Sequence, residues 1–463
     1  MIRDLLSRVI DNRPDGAHVE ARYHQRKYTQ VRVEKGTIER ALVDDYAGIG
    51  VRVLADGAWG YASTSRLENA AVDEALDNAH RAAKNLARTK KDKIELAPIE
   101  PITGTYKSIG NDPFSNHDIE ELVEIAIETD KAILDANEKI KGSNVWLREP
   151  ANHRFTMNSD GTDVELIDSR PSVIIQAIAS EAGKVVPYWD TIGITGGWEI
   201  FEKRPPEEMV KKSTELAAKL LNASLPKGGK QTIVMASPVV GVICHEAIGH
   251  TAEADIVLSG SAAAGKIGKK VASEHITMVD SGEQDYAAGW LAVDDAGVKA
   301  TRTVIIEKGI MKSYLHSRAT AHHFGVEPTG NERAFEYHNE PIIRMRNTYL
   351  EPGNFSDEEI LEGIKFGYLC VNPAGGQADS SAEFMFNMFE AYEIKDGEIG
   401  EPVRNMALTG NAFEVLETVD AVGRNWELNM GAGHCGKGQA AKVDGGGGMT
   451  RAVALVSGEA GGA

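Results

Sequence analysis

His245 and Glu246, followed by His250, place two imidazoles and a carboxylate within six residues of VVGVICHEAIGHTAEAD. Neutral imidazoles suit zinc, and a catalytic zinc takes three protein ligands with a fourth position left open. A glutamate beside the first histidine can accept the proton of the attacking water, the general-base role found beside a zinc-bound histidine pair. The spacing, however, is five and not four. On an ideal α-helix, four residues leave two side chains about 40° apart and five leave them about 140° apart. One extra residue wound into a π-turn restores a shared face, and such turns recur at functional sites. Gly249, inside the motif, is expected to ease that distortion.

The third ligand is open on local grounds. Glu253, Asp255, Cys244, His434 and Cys435 all offer a suitable atom. Cys435 is favoured: it sits in GAGHCG, where glycines permit close backbone approach, and a thiolate is a good zinc ligand. Cys244 precedes His245 and reads as core packing.

These groups need positioning elements. Ser237-Pro238 reads as an N-cap with proline at the first helical position, so VVGVICHEAIGH is expected on a helix after the short strand QTIVMA. Upstream, residues 17–63 alternate like strands, with a hairpin at Ala55-Asp56-Gly57, and residues 66–88 and 118–139 carry helical periodicity. Strand-like runs fill 145–194 around Ser159-Asp160-Gly161, and Pro205-Pro206 opens a helix to Leu221. LPKGGKQ, residues 225–231, reads as a linker. Beyond it, hairpins are expected at Lys308-Gly309 and Asp396-Gly397, with a capping box at Ser356 to Glu359. The fold class is therefore α+β: a mixed N-terminal region, 1–225, divisible into two subdomains (1–105 and 106–225), then a β-rich domain, 226–463, carrying the His-Glu-x-x-x-His helix.

Composition restricts the function classes. The 463 residues carry 50 Lys+Arg against 69 Asp+Glu, a net charge of -19 that repels a phosphate backbone, so nucleic acid is not an expected partner. No run of 18 apolar residues occurs, so no membrane span is expected, and the N-terminus reads as an amphipathic helix and not a signal peptide. Three widely spaced cysteines argue against a disulfide framework and place the chain in the reducing cytoplasm. His322-His323 reads as a solvated pair and not a ligand set. Gly445 to Gly448 reads as a flexible turn, since no Lys-Ser/Thr follows to make a phosphate cradle.

Taken together, HEAIGHTAEAD, YAGIGVRVLADGAWGYAST, TGNERAF at 329–335 and GHCGKGQ at 433–439 resemble the TldD/PmbA family, also called modulators of DNA gyrase. The resemblance spans essentially the whole chain, and the His-Glu-x-x-x-His element belongs to its TldD branch. It implies a cytoplasmic zinc metallopeptidase that works with a PmbA/TldE-type partner, as a heterodimer or as a homodimer, on unfolded peptides. It also implies zinc ligands at His245, His250 and Cys435 and a catalytic base at Glu246. Family members often have Gly-x-Glu after the second histidine, where this chain has Thr251-Ala252-Glu253. Two other classes stay in view, a non-catalytic peptide-binding subunit and a metal hydrolase of non-peptide amides.

Overall fold

Two sheets organise the protein, and the computed structural model describes residues 1–457 apart from 109, 111, 430 and 432. The first sheet has eight strands, built around the long antiparallel pair His18–Glu34 and Thr37–Ala55. Ile140–Asn158 pairs with the other edge of His18–Glu34 and then with both Asp163–Ser169 and Ser172–Glu181. The hairpin turn at Asp56-Gly57 lies where the sequence places it, with Asp56 at φ 51° and Gly57 at φ 76°.

The helices bury the apolar stripes that their periodicity announces. Asn69–Ala87 covers the outer strands with Val72, Ala75, Leu76, Ala79 and Ala83. Ile119–Asp135 and Pro206–Leu220 cover the other end with residues such as Leu122, Ile133, Met209 and Ala217. Each such side chain removed from water contributes roughly 1.5–3 kcal/mol if it is large.

The second sheet has eleven strands and a mixed order. Five of them close on themselves: Asp444–Ser457, Met406–Asn411, Glu383–Lys395, Phe366–Ala378 and Gly229–Met235, the last pairing back with the first. Their inner face is apolar, with Phe384, Phe386, Leu408, Ala452 and Val456 packed against the helical segment that follows Met235. The architecture is thus mixed α+β.

Three local expectations are corrected. Gly229–Met235 is a strand that begins inside the proposed linker 225–231. The helix Ser237–Val242 is capped from Ala236, and the Ser237 hydroxyl instead donates to the Glu427 carbonyl at 2.8 Å. The glycine run 445–448 is no flexible turn but buried strand within Asp444–Ser457. Helix and sheet meet there backbone to backbone: a Cβ on Gly241 would stand 2.7 Å from the Gly445 carbonyl carbon, and one on Gly446 or Gly448 would overlap the carbonyl oxygen of Glu427 or Gly423. Close approach, not flexibility, requires glycine here.

Candidate metal centre

The helix that starts at Ser237 changes its winding as it enters the motif. Ile243–Gly249 is a π-helical turn, and His250–Ala252 continues as a short 3₁₀ segment. The extra residue of the five-residue spacing is absorbed in that turn, and the two imidazoles come together edge to face with ring centroids 5.0 Å apart. Gly249 plays a different part from the one expected. Its backbone is ordinary right-handed helix, φ -57°, while a Cβ there would collide with the Met345 sulfur.

The third group arrives from almost two hundred residues away. Cys435 lies in the short ribbon His434–Gly436 paired with Ala440–Lys442, and its thiol is 3.1 Å from His250 Nε2. One ligand atom each from His245, His250 and Cys435 fall within 4.8 Å of one another. Gly433, at φ 40°, is held so close to the Val443 carbonyl that a side chain has no room. Ala432 of the same run lies outside the described residues.

Electrostatics distinguishes the two histidines. His245 is fully buried, and neither of its ring nitrogens has a hydrogen-bond partner among the described residues. Burial, then the positive His250, Arg344 and Arg333, hold it well below the usual imidazole range, so it is neutral. An uncharged imidazole with an unused lone pair is a ready metal ligand, and leaving such a group buried and unpaired costs about 1–3 kcal/mol. Burial also opposes charge on His250, but its hydrogen bonds to Cys435 and Glu253 outweigh that and push it up to about 10. The donor set of two imidazoles and a thiol fits zinc.

Two of the alternative ligands have other work. Glu253, fully buried, accepts from His250 Nδ1 at 2.9 Å and pairs with Lys437 at 3.1 Å, which fixes the ring and directs Nε2 toward Cys435. Such outer carboxylates commonly orient a metal-binding histidine. Asp255 pairs with Lys437 at 2.7 Å. Cys244 is buried in the apolar core. His322, half exposed, pairs with Glu95 at 3.3 Å, in keeping with a solvated pair.

Glu246 stands beside the donor set and remains partly open to solvent, its Oε2 3.7 Å from His250 Nε2. Burial raises its pKa above the ordinary value, against the pull of His250. The geometry gives a proton acceptor next to three convergent donors.

The other distinctive segments converge on the same place. Gln439 of GHCGKGQ accepts from the Phe335 amide at 2.7 Å and donates to the Glu340 carbonyl, while Arg344 donates to the Gln439 carbonyl at 2.6 Å. In TGNERAF, Asn331 donates to Asp280 at 2.8 Å and Arg333 to the Met345 carbonyl at 2.6 Å. Gly48 and Gly50 of the N-terminal hairpin leave room for Tyr337, whose carbonyl accepts from Tyr61. Local reasoning passed over Arg333, Arg344 and Lys437. Arg344 directly follows the apolar pair Ile342–Ile343, Arg333 shares a two-residue strand with Glu332, and Lys437 lies between Gly436 and Gly438, so their local surroundings carried no signal of a shared site.

Comparisons with known proteins agree along the whole chain. Residues 19–83, 112–221 and 228–446 match the family models described as PmbA/TldA metallopeptidase domain 1, central domain and C-terminal domain. A metalloprotease of Methanocaldococcus jannaschii is 35% identical over 96% of this chain and 97% of its own length. A protein of Saccharolobus solfataricus named a zinc metalloprotease TldD homolog is 29% identical over 86% of this chain and 87% of its own. Among solved structures, TldE of Thermococcus kodakarensis superposes with a TM-score of 0.79 at 19% identity, covering 98% of this chain and 99% of that one, a likeness of fold. By sequence over nearly its full length, the chain belongs to the PmbA/TldD metallopeptidase family.

Proposed function

We propose that this protein is a zinc peptidase in which His245, His250 and Cys435 hold the metal and Glu246 is the general base, acting on unfolded or extended polypeptides. The observation that carries this reading is the fully buried His245, with both nitrogens unpartnered, within 4.8 Å of the other two donors and beside Glu246. Bound there, zinc supplies Lewis acidity, acidifying water and polarising a carbonyl. Glu246 takes the proton of the attacking water and returns it to the departing amine, which balances the hydrolysis. Glu253 and Lys437 keep His250 oriented throughout.

The preference for extended chains is supported by the ribbon that carries Cys435. It is a two-stranded sheet of its own, as is Glu332–Arg333 with Ile342–Ile343. Such edges can take an added strand through main-chain hydrogen bonds that are indifferent to side chains. A folded substrate has those groups already paired and must open locally first.

The reading extends to a cytoplasmic protein, consistent with three free thiols, working with a PmbA/TldE-type paralogue or a second copy. It divides the chain into residues 1–225 and 226–463. No described helix is long and apolar enough to cross a membrane.

Glu246→Gln is the direct test. The variant is expected to keep its zinc by elemental analysis and to lose cleavage of an unstructured polypeptide by roughly 10²- to 10⁴-fold. Wild-type cleavage by the variant sinks the base assignment, and a zinc-loaded wild type that cleaves no polypeptide favours the binding-subunit class. Pairing one stable domain with a destabilised variant that carries the same potential cleavage sites tests substrate choice: equal rates rule out selection for disorder.

A further inference from the structure

Between the polar face of the eight-stranded sheet and the Cys435 ribbon lies a cavity of about 210 Å³. Arg26, Arg148, Arg154, Arg170, Arg333 and Lys442 line it, and no described aspartate or glutamate does. In a chain with 69 acidic and 50 basic residues, that is a local reversal of charge. Strand alternation produces it. His24 and Arg26 share one face of His18–Glu34, and Asn152 and Arg154 are their direct partners on Ile140–Asn158, with Arg148 further along the same face.

The charges are incompletely compensated from within. Arg26 pairs with Glu336 at 3.2 Å, and Arg154 and Arg170 share the single carboxylate of Asp168. Arg148 and Arg333 form no ion pair among the described residues. The Nε of Arg148 is buried without a partner, its guanidinium lying 5.1 Å from the Trp146 ring. Arg333 is buried, and among the described residues its side chain donates to the Met345 carbonyl. Burial, then the charges of Arg170 and Arg344, pull Arg333 well below its usual range. Crowded, buried cations are unfavourable in the free protein, and an entering anion relieves them. A planar guanidinium fork matches a carboxylate in particular.

The cavity adjoins the metal centre through shared elements. His434 pairs with Lys442, and Cys435 pairs with Ala441, so successive residues of one ribbon face the cavity and the donor set in turn. Arg333 lines the cavity while its charge acts on His245. A peptide laid along the ribbon with its scissile bond at Glu246 would bring a residue a few positions away into the cavity.

We propose that this cavity is a carboxylate-binding subsite of the peptide cleft, taking the C-terminal carboxylate or an acidic side chain of the bound chain. The proposal rests on the peptidase reading, and the walls of Pro150, Phe335 and Ala440 suit the aliphatic part of the same residue.

The test uses full-length, zinc-loaded Glu246→Gln protein and fluorescence anisotropy of labelled, unstructured peptides. One pair differs only in a free or amidated C-terminus; a second set moves a single Glu, or Gln as its control, along the chain. At least one acid form is expected to bind about tenfold tighter than its neutral control, with the gap narrowing as salt rises. A gap at the terminus identifies the main-chain carboxylate as the ligand, and one at an internal position identifies a side chain. Adding Arg148→Gln should close the gap between acid and neutral peptides, whereas Arg148→Lys should keep part of it. Equal affinities for every acid and neutral pair overturn the proposal, as does a gap that survives Arg148→Gln. Wild-type turnover separates the two readings: cleavage of acid and neutral peptides with equal KM removes the subsite alone, and a binding gap without any cleavage removes the peptidase alone.

Discussion

The two sheets bury opposite kinds of surface with the same period-two alternation. In the eleven-stranded sheet the covered face is apolar, from Ile233 through Phe386 to Val456. In the eight-stranded sheet one covered face is ionic: Glu20, Arg22, His24 and Arg26 on one strand, Arg52 beside them, Arg154 opposite. What covers that face is not solvent but the second half of the chain, through Arg22 with Asp295, Arg26 with Glu336 and Arg52 with Glu332. Paired buried charges add little net stability over well-packed apolar residues, though breaking such a pair is expensive. The apolar faces therefore hold the fold, and the ionic face of the eight-stranded sheet fixes how the two halves meet around the candidate metal centre.

The largest effect on stability is expected where the ionic face is broken. Arg52 lies 2.7 Å from Glu20 and 2.9 Å from Glu332, with its guanidinium 4.1 Å from the Trp59 ring. Arg52→Met keeps much of the stem packing and strands two buried carboxylates, which should cost ~3–5 kcal/mol in denaturant unfolding. A loss below about 1 kcal/mol would show that the ionic face is no more demanding than the apolar one.

Much of this contrast could be read in the sequence, and part could not. The turns at Asp56-Gly57, Lys308-Gly309 and Asp396-Gly397 were legible because a residue at positive φ followed by glycine is a local requirement. The five-residue spacing of His245 and His250 was legible as a π-turn because it is a question of angle alone. Gly445 to Gly448 misled because the cause of glycine there is not local: Gly241, Thr348, Glu427 and Gly423 approach from three other segments. Arg148 and Arg154 show their alternation in the sequence, but nothing local says that Lys442 and Arg333 will close over them. Glu253 was weighed as a ligand, and its i,i+3 spacing from His250 equally announced the hydrogen bond that orients the ring.

A second, smaller effect should appear as a pH dependence at Glu149 in the eight-stranded sheet. Glu149 is fully buried, and that burial raises its pKa to about 7 despite hydrogen bonds from Ser169 and the Phe114 amide. Its folded pKa thus lies above the unfolded value, so its contribution is fully present below about 4.5 and is lost as pH rises to about 7. Wild type should lose on the order of 2–3 kcal/mol relative to Glu149→Gln between pH 4.5 and 8. Parallel stability curves for the two proteins would show that Glu149 stays ionised throughout. The carboxylates held low, such as Glu20 at about 2, act at the acid end and leave this window clear.

The smallest effect belongs to the apolar sheet and serves as the control for the other two. Ile233 is fully buried on Gly229–Met235, between strands Phe366–Ala378 and Asp444–Ser457, and Ile233→Val removes one methylene without adding a polar atom. The cost combines lost transfer free energy with whatever cavity remains, about 0.5–1.5 kcal/mol. No group changes its protonation or loses an ionic partner, so the cost should be the same at pH 5 and pH 8 and insensitive to salt. Arg52→Met should vary with both, because the carboxylates it strands can escape their penalty by taking up protons as pH falls. Unfolding of both variants in urea at the two pH values tests the distinction directly. An Ile233→Val cost that moves with pH as much as that of Arg52→Met would mean that the two faces are not energetically separate, and that the ionic one is not the specialised part of the molecule.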